Sequence, residues 1–230
     1  MTVFKYALIR GLKSPAALIS NFLAPLTLIF VSGMWVIDDS LGSGFFVVAG
    51  LMMFGSLFAA RGIFNDKTDG TIVRILSGPI STFGYLAQNL LACMVIMAAQ
   101  ITIIVLIGTL LYGWGITLAL ALILCYTMFA GACVAFAFAW SCLFKTREVI
   151  VSVFTAIAML MGFFGGLLLP LSLLPRPLYF SGTIFPTHWA ARAIIELLTT
   201  GASLEYWLSL LALALFTMAF LLYGGKRRII

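Results

Sequence analysis

Charge is what this sequence has little of. Only 9% of its 230 residues are Asp, Glu, Lys or Arg, one is His, and 63% are hydrophobic, with a mean hydropathy of +1.20. Soluble domains carry about 25% charged residues, so in water this chain would leave a large apolar surface uncovered. The shortage excludes a soluble enzyme, a nucleic-acid reader and a disordered regulator. Titratable groups also avoid the middle of the long apolar runs, where a proton-coupled path needs them. No paired carboxylates, no His-rich zinc site and no Ser/His/Asp set occur in those runs, which disfavours an intramembrane enzyme. The nearest Gly-Lys pair, Gly225-Lys226, lacks the upstream glycine and the following Ser or Thr of a phosphate loop, so the chain does not bind ATP by itself. Cys93, Cys125, Cys133 and Cys142 all lie in apolar stretches without metal-ligand spacing and read as reduced packing thiols.

What is abundant is apolar sequence in lengths that suit a bilayer. A spanning helix needs roughly 20 apolar residues, and six runs qualify, near 18–36, 44–60, 83–111, 116–144, 149–169 and 206–223. The third and fourth exceed the need, which implies tilt or protrusion. The expectation is an all-α membrane protein, a single transmembrane domain over 1–230 with six transmembrane helices. Lys5, Arg10 and Lys13 ahead of the first run imitate a signal peptide. A signal h-region is only about 7–15 residues long, however, and no small-residue cleavage site follows, so this run is expected to stay as a span.

Orientation follows from the distribution of basic residues. With a cytoplasmic N-terminus, Lys5, Arg10, Lys13, Arg61, Lys67, Arg74, Lys145, Arg147, Lys226, Arg227 and Arg228 fall inside, leaving Arg176 and Arg192 outside. The positive-inside rule therefore puts both termini in the cytoplasm. The basic clusters meet anionic lipid headgroups rather than nucleic acid, for no basic stripe with interleaved aromatics is present.

Three segments differ from plain spans or connectors. Residues 2–14 are moderately amphipathic, with Phe4, Leu8 and Leu12 on one side and Lys5, Arg10 and Lys13 on another, which predicts an interfacial helix on the inner leaflet, with a frayed basic leader as the alternative. Residues 170–205 carry Pro170, Pro175, Pro177 and Pro186 yet stay apolar, as expected of short helices dipping into the outer leaflet and packed on protein. Within them Pro186 suits a first helical turn and Gly201 a helix end. His188, Arg192 and Glu196 then share one face, either as an ion-paired seam or as an outer polar gate. The third segment, 61–82, is charged at its start and then amphipathic. Asp66 and Asp69 precede a Gly70-Thr71 turn, Ile72, Val73, Ile75 and Leu76 follow, and Gly78-Pro79 stops the helix. Such a helix fits either a groove on a partner protein or a lipid surface.

Within the spans, Gln88, Asn89 and Gln100 either tie helices together or line a path. Small-residue stripes at Gly131, Ala135 and Ala139 and at Ala158, Gly162 and Gly166 permit close helix contact.

The Asp69-Gly70-Thr71 turn, with Leu76 and Pro79 downstream, resembles the cytoplasmic coupling segment of ABC-2 type permeases, the membrane subunits of ABC exporters. Pro186-Thr187-His188-Trp189 resembles the start of that family's second outer helix. The family's layout matches as well: an interfacial N-terminal helix, six spans, a cytoplasmic coupling helix, and re-entrant outer helices before the last span. This chain has Asn65-Asp66 where the family often has Glu and Arg, and Arg74 where an acidic residue is frequent. The resemblance implies a non-catalytic permease in a prokaryotic inner membrane. No cofactor would sit in this chain, ATP and Mg being held by a separate ATPase subunit, and a second permease copy or paralogue would complete the path. Asp66, Asp69, Gly70, Thr71, Arg74 and Leu76 would then couple to the ATPase. The scarcity of charge favours a hydrophobic or amphiphilic cargo such as a drug, antimicrobial peptide or lipid. Haem-related or polysaccharide export is the alternative within the family, and an ATP-independent channel or carrier the alternative outside it.

Overall fold

The computed structural model describes residues 2–13, 15, 19–31, 34–35, 42–144, 146–169, 171 and 175–226. Among them 85% are helical and none forms a strand. In chain order the helices are α1 (Thr2–Lys13), a π-helical turn (Ile19–Leu23), α2 (Ala24–Ile29), α3 (Ser43–Thr68), α4 (Thr71–Leu76), α5 (Thr82–Tyr112), α6 (Ile116–Ser141), α7 (Arg147–Phe164), α8 (Arg176–Gly182), α9 (Pro186–Thr199) and α10 (Leu204–Lys226). Four of these, α3, α5, α6 and α10, are long and apolar enough to cross a membrane.

The differences from the expected spans have local causes. In the first run, the π-helical turn passes directly into the six-residue α2 through a right-handed helical Leu23, and the helix ends at Ile29, short of the expected span. Pro25 sits in the first turn of α2, where its missing N–H removes one donor at the change from π-helical to α-helical bonding. Residues 18, 32–33 and 36 of that run lie outside the described residues, as do residues 14, 145, 170 and 227–228. The second run extends to Thr68, because nothing between Arg61 and Thr68 breaks a helix; Arg61, Asp66 and Lys67 therefore continue that helix rather than open a separate segment after it. The fifth stops at Phe164, where Gly166 turns left-handed (φ +86°) and the amides of Leu167 and Leu168 close back on Gly162 O at 3.1 and 3.0 Å. Gly166 thus lies past the helix, off the stripe of Ala158 and Gly162.

α6 is the centre of the bundle and packs against α3, α5, α9 and α10. Its residues Ala130, Gly131, Ala132, Ala135, Ala137 and Ala139 are buried. In a bilayer, lipid is as apolar as leucine, so helices associate through close van der Waals contact. Small side chains on α6 allow it: a Cβ on Gly131 would sit 3.1 Å from Met94 Cε, and Gly224 of α10 lies so close that its Cβ would be 3.4 Å from Ala139 Cα. By contrast, α5 and α10 turn Leu91, Val95, Leu106, Leu211, Leu215 and Met218 outward, as expected of helices that face lipid.

The bundle has two distinct ends. One, here termed proximal, carries α1, the end of α3, α4, the start of α5 and the ends of α6 and α10. The distal end carries α8 and α9, and an aromatic cluster of Trp35, Phe45, Tyr112 and Trp114 with ring centroids 5.1 to 6.3 Å apart.

Candidate functional site at the proximal elbow

The polypeptide reverses between α3 and α4 in two residues. Asp69 N and Gly70 N bond to Asn65 O and Lys67 O at 2.9 and 3.3 Å, closing α3. Gly70 has φ +68°, and a Cβ there would meet nothing within 4 Å. Glycine is thus needed for its backbone conformation and not for space. Ile72 anchors α4 by inserting into the core, with Ile75 and Leu76 half-buried against it. The opposite face presents Val73, 51% exposed, and Arg74; Asn65, Thr68 and Asp69 extend that surface along the elbow.

Asp66 does not belong to that surface. It is 7% exposed and turned into the bundle. Arg10 Nη1 of α1 donates to Asp66 Oδ2, and the Tyr85 hydroxyl of α5 donates to the same oxygen at 2.5 Å. The Arg10 guanidinium also donates to Asn89 Oδ1 at 2.9 Å and to Gly62 O at 3.3 Å, while Asn89 Nδ2 donates to Tyr85 O at 2.9 Å. Burial works against the charge on Arg10, but the hydrogen bond and charge of Asp66 outweigh it and raise its pKa. Phe4 N donates to Gln88 Oε1 at 3.4 Å, a second tie between α1 and α5.

Accordingly, α1 is oriented differently from the expectation. Val3 and Ala7 are buried, Arg10 points inward, and Lys5, Tyr6, Ile9, Leu12 and Lys13 face outward. The pair with Asp66 decides this rotation, and no pattern local to residues 2–14 contains it.

At the distal end α9 begins at Pro186 and is closed by Gly201 (φ +84°), whose N–H reaches Glu196 O at 3.0 Å. His188 is 0% exposed and neither ring nitrogen has a hydrogen-bond partner among the described residues. Its ring meets the edges of Tyr179 and Trp189 at centroid distances of 5.0 and 5.8 Å. Burial, and secondarily the charge of Arg192, lowers its pKa and keeps it neutral. Arg192 pairs with Glu205, while Glu196 accepts from Ser203 Oγ at 3.2 Å. The three residues do not form a mutual ion-paired seam: His188 turns inward, and the two charges find partners at the start of α10.

Residues 37–225 match the family described as ABC-2 family transporter protein. The chain belongs to the ABC-2 transporter family. No curated protein matches it. As an ABC-2 protein it is a multi-pass membrane component of a transporter, not itself a catalyst, and family membership implies association with an ABC ATPase.

In this ABC-2 protein Asp69, Gly70, Thr71 and Arg74 lie together at the elbow, and Leu76 helps seat α4. Gln88 and Asn89 bond to α1, and Gln100 is buried farther along α5. Arg10 and Tyr85 complete the proximal cluster, Tyr85 with no signal in the sequence and Arg10 with a signal only for topology. A lone inward arginine on a basic leader gives no periodic signal; only the fold brings it to Asp66.

Proposed function

We propose that the protein is the permease half of an ATP-driven exporter, moving a hydrophobic or amphiphilic cargo (a drug, antimicrobial peptide or lipid) out across a prokaryotic cytoplasmic membrane. The observation that carries this is the elbow: a two-residue reversal at the end of a spanning helix, held at Gly70 by conformation alone, with Asn65, Thr68, Asp69, Val73 and Arg74 free to meet a partner. The family assignment over 37–225 supports a partner that is an ABC ATPase. The proximal end carries Lys5, Arg10, Lys13, Arg61, Lys67, Arg74 and Lys226, against Arg176 and Arg192 at the distal end. That asymmetry favours a cytoplasmic proximal end and, with it, cytoplasmic termini.

In this mechanism two permeases, identical or paralogous, enclose the path. The ATPases close on ATP and press on the elbow, which α3 transmits into the bundle. The ATPase drives the change only if it binds inward- and outward-facing states with different affinity. α8 and α9, between α7 and the last span, serve as the outer closure, with His188, Arg192 and Glu196 on it. The low charge of the spans suits an apolar cargo better than a charged polymer.

The test is a pull-down of the tagged protein from its own host in mild detergent, with ATP hydrolysis assayed on what co-purifies. A stoichiometric ATPase is expected. Gly70→Val should retain the folded protein and depress hydrolysis, since the left-handed turn is lost. Isolation of the intact protein without any ATPase would point instead to a channel or carrier acting alone.

A further inference from the structure

We propose that α1 is part of the coupling joint, with Arg10 as the positioning residue that fixes the direction in which the elbow leaves the bundle. This inference rests on the exporter function above. Asp66, three residues before Asp69, is one turn from the elbow, yet it faces inward. A single oxygen of it, Oδ2, receives donors from two other elements, Arg10 of α1 and Tyr85 of α5. Asn89, one turn beyond Tyr85, takes the second arm of Arg10 and returns a hydrogen bond to Tyr85 O. Three elements therefore meet at one carboxylate next to the reversal.

The groove is shaped for the guanidinium. Gly62, one turn before Asp66, lies so close that a Cβ would be 3.1 Å from Arg10 Nη2 and 3.2 Å from Cζ. The elbow itself has no comparable tie: Gly70 provides no side-chain cap, and α4 is seated through Ile72 with Ile75 and Leu76. A push on the elbow consequently reaches α5 and α1 through Asp66. Asp66 is nearly buried and Arg10 half-buried against it, so removing either one leaves the other without its counter-charge and releases the same joint. Arg10 and Asp66 thus act as a unit, and Asp66 works through Arg10 rather than by touching the ATPase.

The experiment uses the full-length protein with its co-purified ATPase in lipid nanodiscs, comparing Arg10→Gln, Asp66→Asn, the double variant and Lys5→Gln. Hydrogen exchange at 65–70 is read against exchange in α6, alongside ATP hydrolysis per bound ATPase. Each single variant should keep the ATPase bound, quicken exchange at 65–70 by about tenfold and reduce hydrolysis by about fivefold or more. The double variant should be no worse than the worse single, and Lys5→Gln should change neither readout. If either single variant does not fold, Gly62→Ala crowds the guanidinium by one methyl group without removing charge; it should shift both readouts the same way, by about two- to threefold. Unchanged exchange, additive losses in the double variant, or faster exchange with unaltered hydrolysis would each overturn the proposal. Should no ATPase accompany the unsubstituted protein, the exporter function fails and the coupling role with it. The exchange measurement then still reports whether the joint exists, so the two failures are distinguishable.

Discussion

Single residues at two positions show how backbone and protonation set local stability. Gly70 stands in open space at φ +68°, so the cost of replacing it is conformational. A side chain in the left-handed region costs roughly 1–2 kcal/mol, with Asn penalised least because its short polar side chain bonds locally. Gly70→Val should therefore raise hydrogen exchange at 69–72 well above that of Gly70→Asn, and equal exchange in the two variants would remove the conformational explanation. His188 has a pKa below its ordinary value, through burial first and Arg192 second. Folded His188 stays neutral while the unfolded chain protonates near the usual value of about 6.5. Its contribution to stability is thus full above that pH and lost as pH falls from there toward the folded pKa. The thermal midpoint in detergent should fall more steeply between pH 7.5 and 5.5 for the unsubstituted protein than for His188→Gln, those two pH values bracketing about 6.5. Parallel curves would mean that His188 is not the group that titrates.

At the scale of elements, the distal aromatic cluster joins the segment before α3 to the end of α5. Trp35 Nε1 donates to Leu28 O at 3.0 Å, and the Tyr126 hydroxyl to Phe45 O at 3.0 Å, fastening α2 and α3 to their neighbours. Gly108 of α5 is covered by the Trp114 ring so closely that any Cβ would overlap it. Gly108→Ala must push Trp114 off its partners, at about 1–3 kcal/mol. The expected result is a thermal midpoint lower by several degrees with a shifted tryptophan emission; an unchanged emission spectrum would show that the ring is not displaced. Six apolar runs do not become six equal helices: the helix of the first run ends at Ile29 and the Gly165-Gly166 turn shortens the fifth, whereas 82–112 and 116–141 meet no breaker and run uninterrupted.

For the whole molecule, the two ends make the orientation testable. Val73 at the proximal end and Thr200 at the distal end are both exposed. In a background with Cys93, Cys125, Cys133 and Cys142 replaced by Ser, a membrane-impermeant maleimide applied to intact cells should label Thr200→Cys and reach Val73→Cys only after permeabilisation. The reverse pattern would invert the molecule. The unsubstituted protein serves as the control, its Cys125 and Cys133 being buried and its Cys93 and Cys142 half-buried.

Composition and period determined the class of this protein, because a bilayer accepts only long apolar segments whose backbone bonds are internal. Local chemistry also announced the left-handed glycines at 70 and 201, the proline start of α9 and the small-residue face of α6. Tertiary structure alone decided which partners Asp66 and Arg192 would take. Asp66 turned inward to Arg10 from 56 residues away, and Arg192 took Glu205 instead of a neighbour on its own helix. Helical spacing describes only contacts within one helix, whereas the alignment of separate helices follows from close packing around α6. Asp66, nearly buried, is tolerated there only beside its counter-charge, and the exposed Arg192–Glu205 pair forms only where α9 meets α10, so where these charges settle depends on the assembled bundle.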